Sequence, residues 1–324
     1  MKLKFKLSSS TLLISLALSA SSTASEHLLK ISMAVNETDP TYKGALQMKE
    51  AVEKRTNGEL EIQIYPNSQL GPVEDVQEQA MFGENIALIT DSGRLSVFSK
   101  EVGIIGVAYA AKDYNQMKKL IESKSFKEWE NNIQDEGLNV LSFNWYQGSR
   151  GFMTNKLVNK PSDLEGLIIR TPGAKVWTES VSALGATPTS LPWADTYTAM
   201  QQGTIDGFEQ QPHPIVASKL YETFKYYIET DHIQLMTALV ISDEWLKKLP
   251  QEYQTILKEE AVNAGNYASQ VTINEMSSYK QNMADNYGIE FIKVNKAPFM
   301  ANAKKAMKSL GYEAEYKTLQ REIK

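Results

Sequence analysis

The sequence predicts an α/β protein of two lobes, with a cleft between them and one long helix bracing both. Three observations predict it. Two-residue hydrophobic alternation trades places with helical periodicity along the chain, the series starts afresh near residue 150, and an almost uninterrupted helical pattern runs from Pro250 to about Gly288. At 324 residues and 42% apolar composition the chain can bury a large core, and its length favours two domains over one.

Leu29, Ile31 and Met33 alternate in LLKISMA (28–34), as in a half-buried strand. Pro40 precedes TYKGALQMKEAVEKRTNG (41–58), where Ala45, Met48 and Val52 share a helical face and Gly58 stands in the place of a left-handed cap. LEIQIY (60–65) alternates again, so strand, helix and strand form a parallel crossover unit. VEDVQEQAMFG (73–83) reads as a helix closed by Gly83, NIALIT (85–90) as a buried strand, 112–130 as a third helix and LNVLSFN (138–144) as a strand. In such sheets ligands sit beyond the carboxyl ends of the strands.

The second series comprises strand LIIR (167–170), helix 174–184, helix 193–202 ending at Gly203, and a short strand in TIDGF (204–208). LMTALVIS (235–242) is a further strand. At 1.5 Å per residue the helix from Pro250 reaches roughly 55 Å, enough to brace two lobes, with a break near Gly265 as the alternative. No internal repeat, low-complexity tract or Pro/Gly/Ser linker separates the lobes, so several crossing strands are expected to join them.

The first residues read as a secretory signal: Lys2, Lys4 and Lys6, then apolar TLLISLAL (11–18), then small residues in SASSTAS (19–25). Neither this run nor any later one reaches the roughly 20 apolar residues of a membrane helix. The chain has no cysteine, which excludes disulfides, thiolate metal sites, a cysteine nucleophile and an acylated anchor. A soluble exported protein of the periplasm is expected. Removing residues 1–24, with three lysines and no acid, takes the net charge from −5 to −8, which argues against nucleic acid as partner. Any anion must be bound by locally concentrated positive groups.

The dominant nucleotide, zinc and serine-hydrolase motifs are absent, and no cofactor or metal is called for. Nothing near His213 or His232 singles out a nucleophile for a triad, and His27 lies at the expected mature terminus. NET (36–38) matches a glycosylation acceptor, and carboxylate pairs are too common among 39 acids to identify a glycosidase.

Only five of the 34 basic residues are arginine. Three follow strands or sit in strand-end turns: Arg94 in TDSGRL, Arg150 in YQGSRG and Arg170 in IIRTP. A guanidinium matches a carboxylate with two parallel hydrogen bonds and keeps its charge in a dry cleft, so these three are candidates for an anionic ligand. The alternative for each is a protein acid as partner, or a stem covering apolar surface. Arg170 is the strongest candidate, because Leu167, Ile168 and Ile169 set it where an unpaired charge is costly and Pro172 fixes the chain beyond. Trp193, after Pro192 at a helix start, supplies either a flat ligand wall or a core aromatic.

GLIIRTPGAKVWTESVSALGATPTSLPWADTYTAMQQGTIDGFEQQP (166–212) resembles the signature region of the DctP-type solute-binding proteins of tripartite ATP-independent periplasmic (TRAP) transporters. The resemblance extends to YKGALQMKEAVEKRTNGELEIQIYPNSQLG (42–71) and RGFMTNKLVNKPSDLEGL (150–167), and covers nearly the whole mature chain. It implies a non-enzymatic, monomeric periplasmic receptor with a two-lobed periplasmic-binding-protein fold. Residues 1–24 would be the signal, 25–147 plus 236–275 the first lobe and 148–235 plus 276–324 the second. Its partners would be a small carboxylate and the TRAP membrane permease subunits. Arg170 would clamp the carboxylate and Arg150 assist, with Asp91, Trp193, Glu209 and Gln210 at family contact positions and Arg94 in the turn of Asp91.

Sialate-binding members carry asparagine, glutamate and asparagine where this chain has Ala34, Asp91 and Gln210, which disfavours sialate. NWYQGSR (144–150), with Trp145 and Tyr146 ahead of the arginine, is more similar to members that take sugar acids, so a uronate or aldonate is the expected ligand. A C4-dicarboxylate receptor, a receptor serving a sensor, and an enzyme acting on an acidic sugar are the alternatives.

Overall fold

The computed structural model describes residues 26–324, and the secretory-signal expectation lies outside them. Strand β1 (His27–Ser32), helix α1 (Pro40–Arg55) and strand β2 (Leu60–Tyr65) form the expected crossover, with β1 and β2 parallel. Asp39 caps α1 by accepting from the Thr41 amide, and Ala45, Met48 and Val52 are among its buried residues. Helix α2 (Val73–Met81) leads to β3 (Ile86–Asp91), which is buried throughout and pairs with β1. The short helix α3 (Ser92–Leu95) starts at once because Asp91 caps it through the Arg94 amide.

The helix expected at 112–130 is two helices, α4 (Tyr114–Glu122) and α5 (Lys124–Asn131). Between them Ser123 is extended, and its hydroxyl accepts from the Phe126 amide to cap α5. A serine offers the backbone this alternative to continuing a helix. Next comes β4 (Leu138–Thr154), 17 residues where a strand at 138–144 was expected.

The second series holds β5 (Ile168–Thr171), α6 (Lys175–Ala183), β6 (Thr187–Ser190), a 3-10 turn at Trp193–Asp195 leading into α7 (Thr196–Gln201), β7 (Gly207–Gln210) and α8 (Pro212–Ala217). Strand β8 (Tyr226–Ser242) is again 17 residues long, and α9 (Asp243–Lys248), α10 (Gln251–Tyr287), β9 (Glu290–Lys293), α11 (Lys296–Ser309) and α12 (Glu313–Glu322) complete the chain.

One sheet runs through both lobes in the order β2-β1-β3-β8-β4-β7-β5-β6, with β9 also on β8. The two long strands are antiparallel partners and carry the crossing that was expected. Over Thr237–Ile241, β8 pairs with β3 of the first lobe, and over Tyr226–Glu229 with β9 of the second. Strand β4 takes β7 over Gly151–Thr154. At roughly 3.3 Å per residue each long strand reaches about 55 Å. Register shifts between Tyr146 and Gly148 and between Arg150 and Phe152 mark its middle, where Gly148 sits at φ 104°.

Each lobe packs apolar residues on both faces of this sheet. Leu29, Met48, Trp145 and Leu257 fill one face of the first lobe, and Leu88, Leu120, Phe126 and Val240 the other. Phe152, Ile169, Val181 and Phe299 pack one side of the second lobe, and Phe208, Ile215, Tyr227 and Met283 the other. Helix α10 is continuous for 37 residues and touches α1 and β4 as well as α8 and β9, so it braces both lobes.

Gly265 does not break α10, because it is where β4 presses on the helix: a Cβ there would overlap the Asn144 side chain. The C-terminus departs from the expected boundary that gave 276–324 to the second lobe. Tyr312 and Leu319 join the core of Val102, Leu120 and Phe126, and Ser125 donates to Glu322 Oε1 at 2.6 Å, so α12 packs on the first lobe. Among the described residues no helix is long and apolar enough to cross a membrane.

Candidate ligand-binding site

Strand alternation places Arg170. Ile169 enters the core of the second lobe, so its neighbour points to the opposite face, toward a cavity of about 110 Å³ lined from both lobes. The expected run of three buried aliphatics is shorter than that, since Ile168 is 39% exposed. Arg170 itself is 2% exposed. Its Nε and Nη2 donate to the Leu191 carbonyl at 2.9 and 2.7 Å, and its guanidinium lies 5.4 Å from the centre of the Trp193 ring. Trp193 lines the cavity as a wall beside Arg170.

No acid pairs with Arg170 among the described residues. Burial draws its pKa down to about 9, Glu209 opposes, and the charges of Arg150 and Arg94 reinforce the fall. The group stays cationic at neutral pH, and an unneutralised buried charge is costly unless something balances it.

Arg150 has a different environment. Its Nε and Nη2 grip the Glu209 carboxylate, Nη2 also donates to the Glu209 carbonyl at 2.8 Å, and Nη1 donates to Gln210 Oε1 at 2.7 Å and Gln211 Oε1 at 3.0 Å. These contacts occupy its five donors. Burial pushes the Glu209 carboxyl up, but Arg150 and His232 outweigh it and hold the group at about 2. Thr171 Oγ1 adds a hydrogen bond to Glu209 Oε1 at 2.9 Å. Glu209, expected at the ligand, is the partner of Arg150 and is not among the residues that line the cavity. The assisting role expected of Arg150 meets a guanidinium already saturated by protein.

Asp91 and Arg94 form the third unit. Asp91 Oδ1 accepts from the Arg94 amide at 3.0 Å and from the Trp177 indole at 2.9 Å, while Oδ2 pairs with Arg94 Nη1. Burial raises the Asp91 pKa, but Arg94 and Trp177 outweigh it and hold it below the usual range. Arg94 Nε donates to Glu74 Oε1 at 2.8 Å, so Arg94 is paired with protein acids although it lines the cavity.

Tyr146 does not reach the cavity. It stands 4.9 Å from Tyr114 and donates to Gln234 Oε1 at 2.6 Å, and alternation along β4 turns its neighbour Gln147 to the cavity instead. Gln210 lies on the cavity, and Ala34 is there too.

Sequence reasoning missed Trp177, Gln147, Gln211 and Thr237, all of which line the cavity. Arg150 must donate, so the amides beyond it are oriented: Gln211 Nε2 donates to Gln147 Oε1 at 3.1 Å, Gln147 Nε2 to Thr237 Oγ1 at 3.3 Å, and Thr237 Oγ1 to the Trp145 carbonyl at 2.9 Å. QQP after β7 was a visible signal for Gln211, but nothing local marked Trp177.

The histidines take structural places. His232 is fully buried, stacks on Phe152 at 4.5 Å, bonds Thr230 through Nδ1, and has Nε2 3.7 Å from Glu209 Oε2; burial lowers its pKa. His213 Nε2 stands 2.7 Å from Asp39 Oδ2, in a close polar contact without the alignment of a full hydrogen bond. Among the described residues no group of three His, Cys, Asp or Glu is placed to hold a metal ion.

Residues 31–316 match the family model DctP, described as bacterial extracellular solute-binding protein, family 7. The C4-dicarboxylate-binding periplasmic protein DctP of Rhodobacter capsulatus is 29% identical over 282 residues, covering 86% of this chain and 84% of that protein. The apo open structure of a TRAP periplasmic solute-binding protein from Escherichia fergusonii is 38% identical, with a TM-score of 0.81 over 91% of this chain and 99% of that one. A TRAP periplasmic solute-binding protein from Ochrobacterium anthropi with bound L-fuconate is 29% identical, with a TM-score of 0.88 over 93% and 100%.

Proposed function

This chain belongs to the DctP family of solute-binding receptors, and from that premise we propose that it captures a small sugar monoacid in the periplasm and delivers it to a TRAP permease. The observation that carries the reading is Arg170, buried in a cavity between the lobes with no acid of its own. A ligand carboxylate supplies the missing charge, and the planar fork favours two parallel hydrogen bonds. Ligand hydroxyls then meet the side chains of Gln147, Gln210, Gln211 and Thr237, and Trp193 offers a flat face. The relative with bound L-fuconate has a ligand of this class.

The Rhodobacter relative supports a second reading, a C4-dicarboxylate. The charge pattern favours the monoacid, since the other two cavity arginines are already paired, Arg150 with Glu209 and Arg94 with Asp91. The receptor acts as a monomer and leaves its ligand chemically unchanged.

A thermal-shift screen of sugar acids, C4-dicarboxylates and neutral sugars tests this. One or a few sugar acids are expected to raise the melting temperature, because a ligand at 100 times its dissociation constant adds about 2.7 kcal/mol. A shift with neutral sugars and none with any carboxylate overturns the proposal. Ligand recovered intact after denaturation separates receptor from enzyme.

A further inference from the structure

Two aspartates of the first lobe each serve two elements. Asp91 caps α3 and also accepts the indole N–H of Trp177, which comes from α6 in the second lobe. Asp39 caps α1 by accepting from the Thr41 amide at 2.8 Å, while its other oxygen lies 2.7 Å from Nε2 of His213, in α8 of the second lobe. All four side chains are buried. Among the described residues these are the two polar side-chain pairs that join elements before β4 to elements between β5 and α8.

The pairs bracket the proposed ligand. Asp91 and Trp177 line the cavity, and Ala34, Val35 and Pro214 separate it from the neighbouring pocket that holds Asp39. Trp177 also lies 4.9 Å from the Arg150 guanidinium, so its ring is held from the second lobe as well. Gly93 admits the indole, because a Cβ at that position would overlap Nε1. Each aspartate is already immobilised as a cap, so little conformational freedom is lost when the opposite lobe meets it.

We propose that Trp177 and His213 are positioning residues for ligand binding: their ring nitrogens, seated on the capping aspartates of the opposite lobe, hold the lobes together and set how long the ligand stays. Neither has to touch the ligand for this. The proposal rests on the cavity being the ligand site, but the lobe-to-lobe distance tests it whichever class of compound that cavity takes.

The chain has no cysteine, so spin labels at Asp75→Cys and Gln202→Cys, exposed positions in the two lobes, report that distance by pulsed electron paramagnetic resonance. Trp177→Phe keeps a ring over Arg150 and removes the N–H. With the compound of largest thermal shift present, it is expected to shift the distribution to longer distances and to speed dissociation of that compound roughly tenfold, with association unchanged. His213→Phe tests the other pair by the same readouts and serves if Trp177→Phe does not fold. Unchanged distances and dissociation rates in the folded variants overturn the proposal, as does a loss confined to association. A neutral sugar as the compound of largest shift, with distances and dissociation altered in the variants, counts against the acid and supports the positioning role.

Discussion

Glu209 neutralises Arg150 and, together with Gln210 and Gln211, leaves its guanidinium no donor for a ligand, which isolates Arg170 as the cavity's uncompensated charge. The two arginines stand on neighbouring parts of one sheet and differ only in what β7 and the chain before Trp193 offer them: a carboxylate in one case, a backbone carbonyl in the other.

Replacing Arg170 with lysine keeps the charge and loses the fork. Ligand affinity measured by calorimetry is expected to fall on the order of 100-fold, while the circular dichroism spectrum stays unchanged. Unaltered affinity places the carboxylate clamp elsewhere.

Glu209→Gln leaves Arg150 buried without its counter-charge. Breaking such a pair costs about 3–5 kcal/mol, so urea denaturation is expected to reveal a stability loss of that size even without ligand. A loss below about 1 kcal/mol contradicts the pairing.

Acid sensitivity is expected in two stages of the same sign. Burial lowers the His232 pKa despite Glu209, so the unfolded chain takes up a proton that the native one refuses as pH falls below about 6.5. Glu209 is held at about 2, so its contribution is present above the ordinary value near 4.5 and is lost as pH falls toward 2. Urea midpoints across pH 4 to 8 are expected to begin falling near 6.5, and His232→Asn is expected to remove that upper limb. A wild-type midpoint that holds steady until pH 5 contradicts the buried neutral histidine.

Gly265→Ala sets propensity against packing. Alanine favours a helix interior by about 1 kcal/mol, but its methyl overlaps Asn144 at the β4 contact. Overpacking costs about 1–3 kcal/mol, so a net loss is expected by thermal denaturation, and a gain means that β4 yields there.

Local pattern was enough for β2, α1 and α2, because alternation, a helical face and a closing glycine are written in consecutive residues. It failed at β4 and β8, which run 17 residues as strands with few exposed positions, so their buried halves show no alternation to read. It also merged α4 with α5, since the serine between them is compatible with either a helix interior or a cap. Of the residues that the family resemblance assigned to the ligand, Gln210 and Trp193 line the cavity, whereas the fold turns Glu209 to Arg150 and Tyr146 to Gln234.

By itself the sequence determined the α/β alternation, the bracing helix, the family and the strand-end setting of Arg170, because each depends on residues close together in the chain or on motifs kept intact. Only the tertiary structure decided which arginine is free. Arg94 has one partner, Asp91, in its own turn, but its second lies 20 residues away and that of Arg150 lies 59 away, and no local pattern records whether a distant carboxylate arrives within hydrogen-bonding reach.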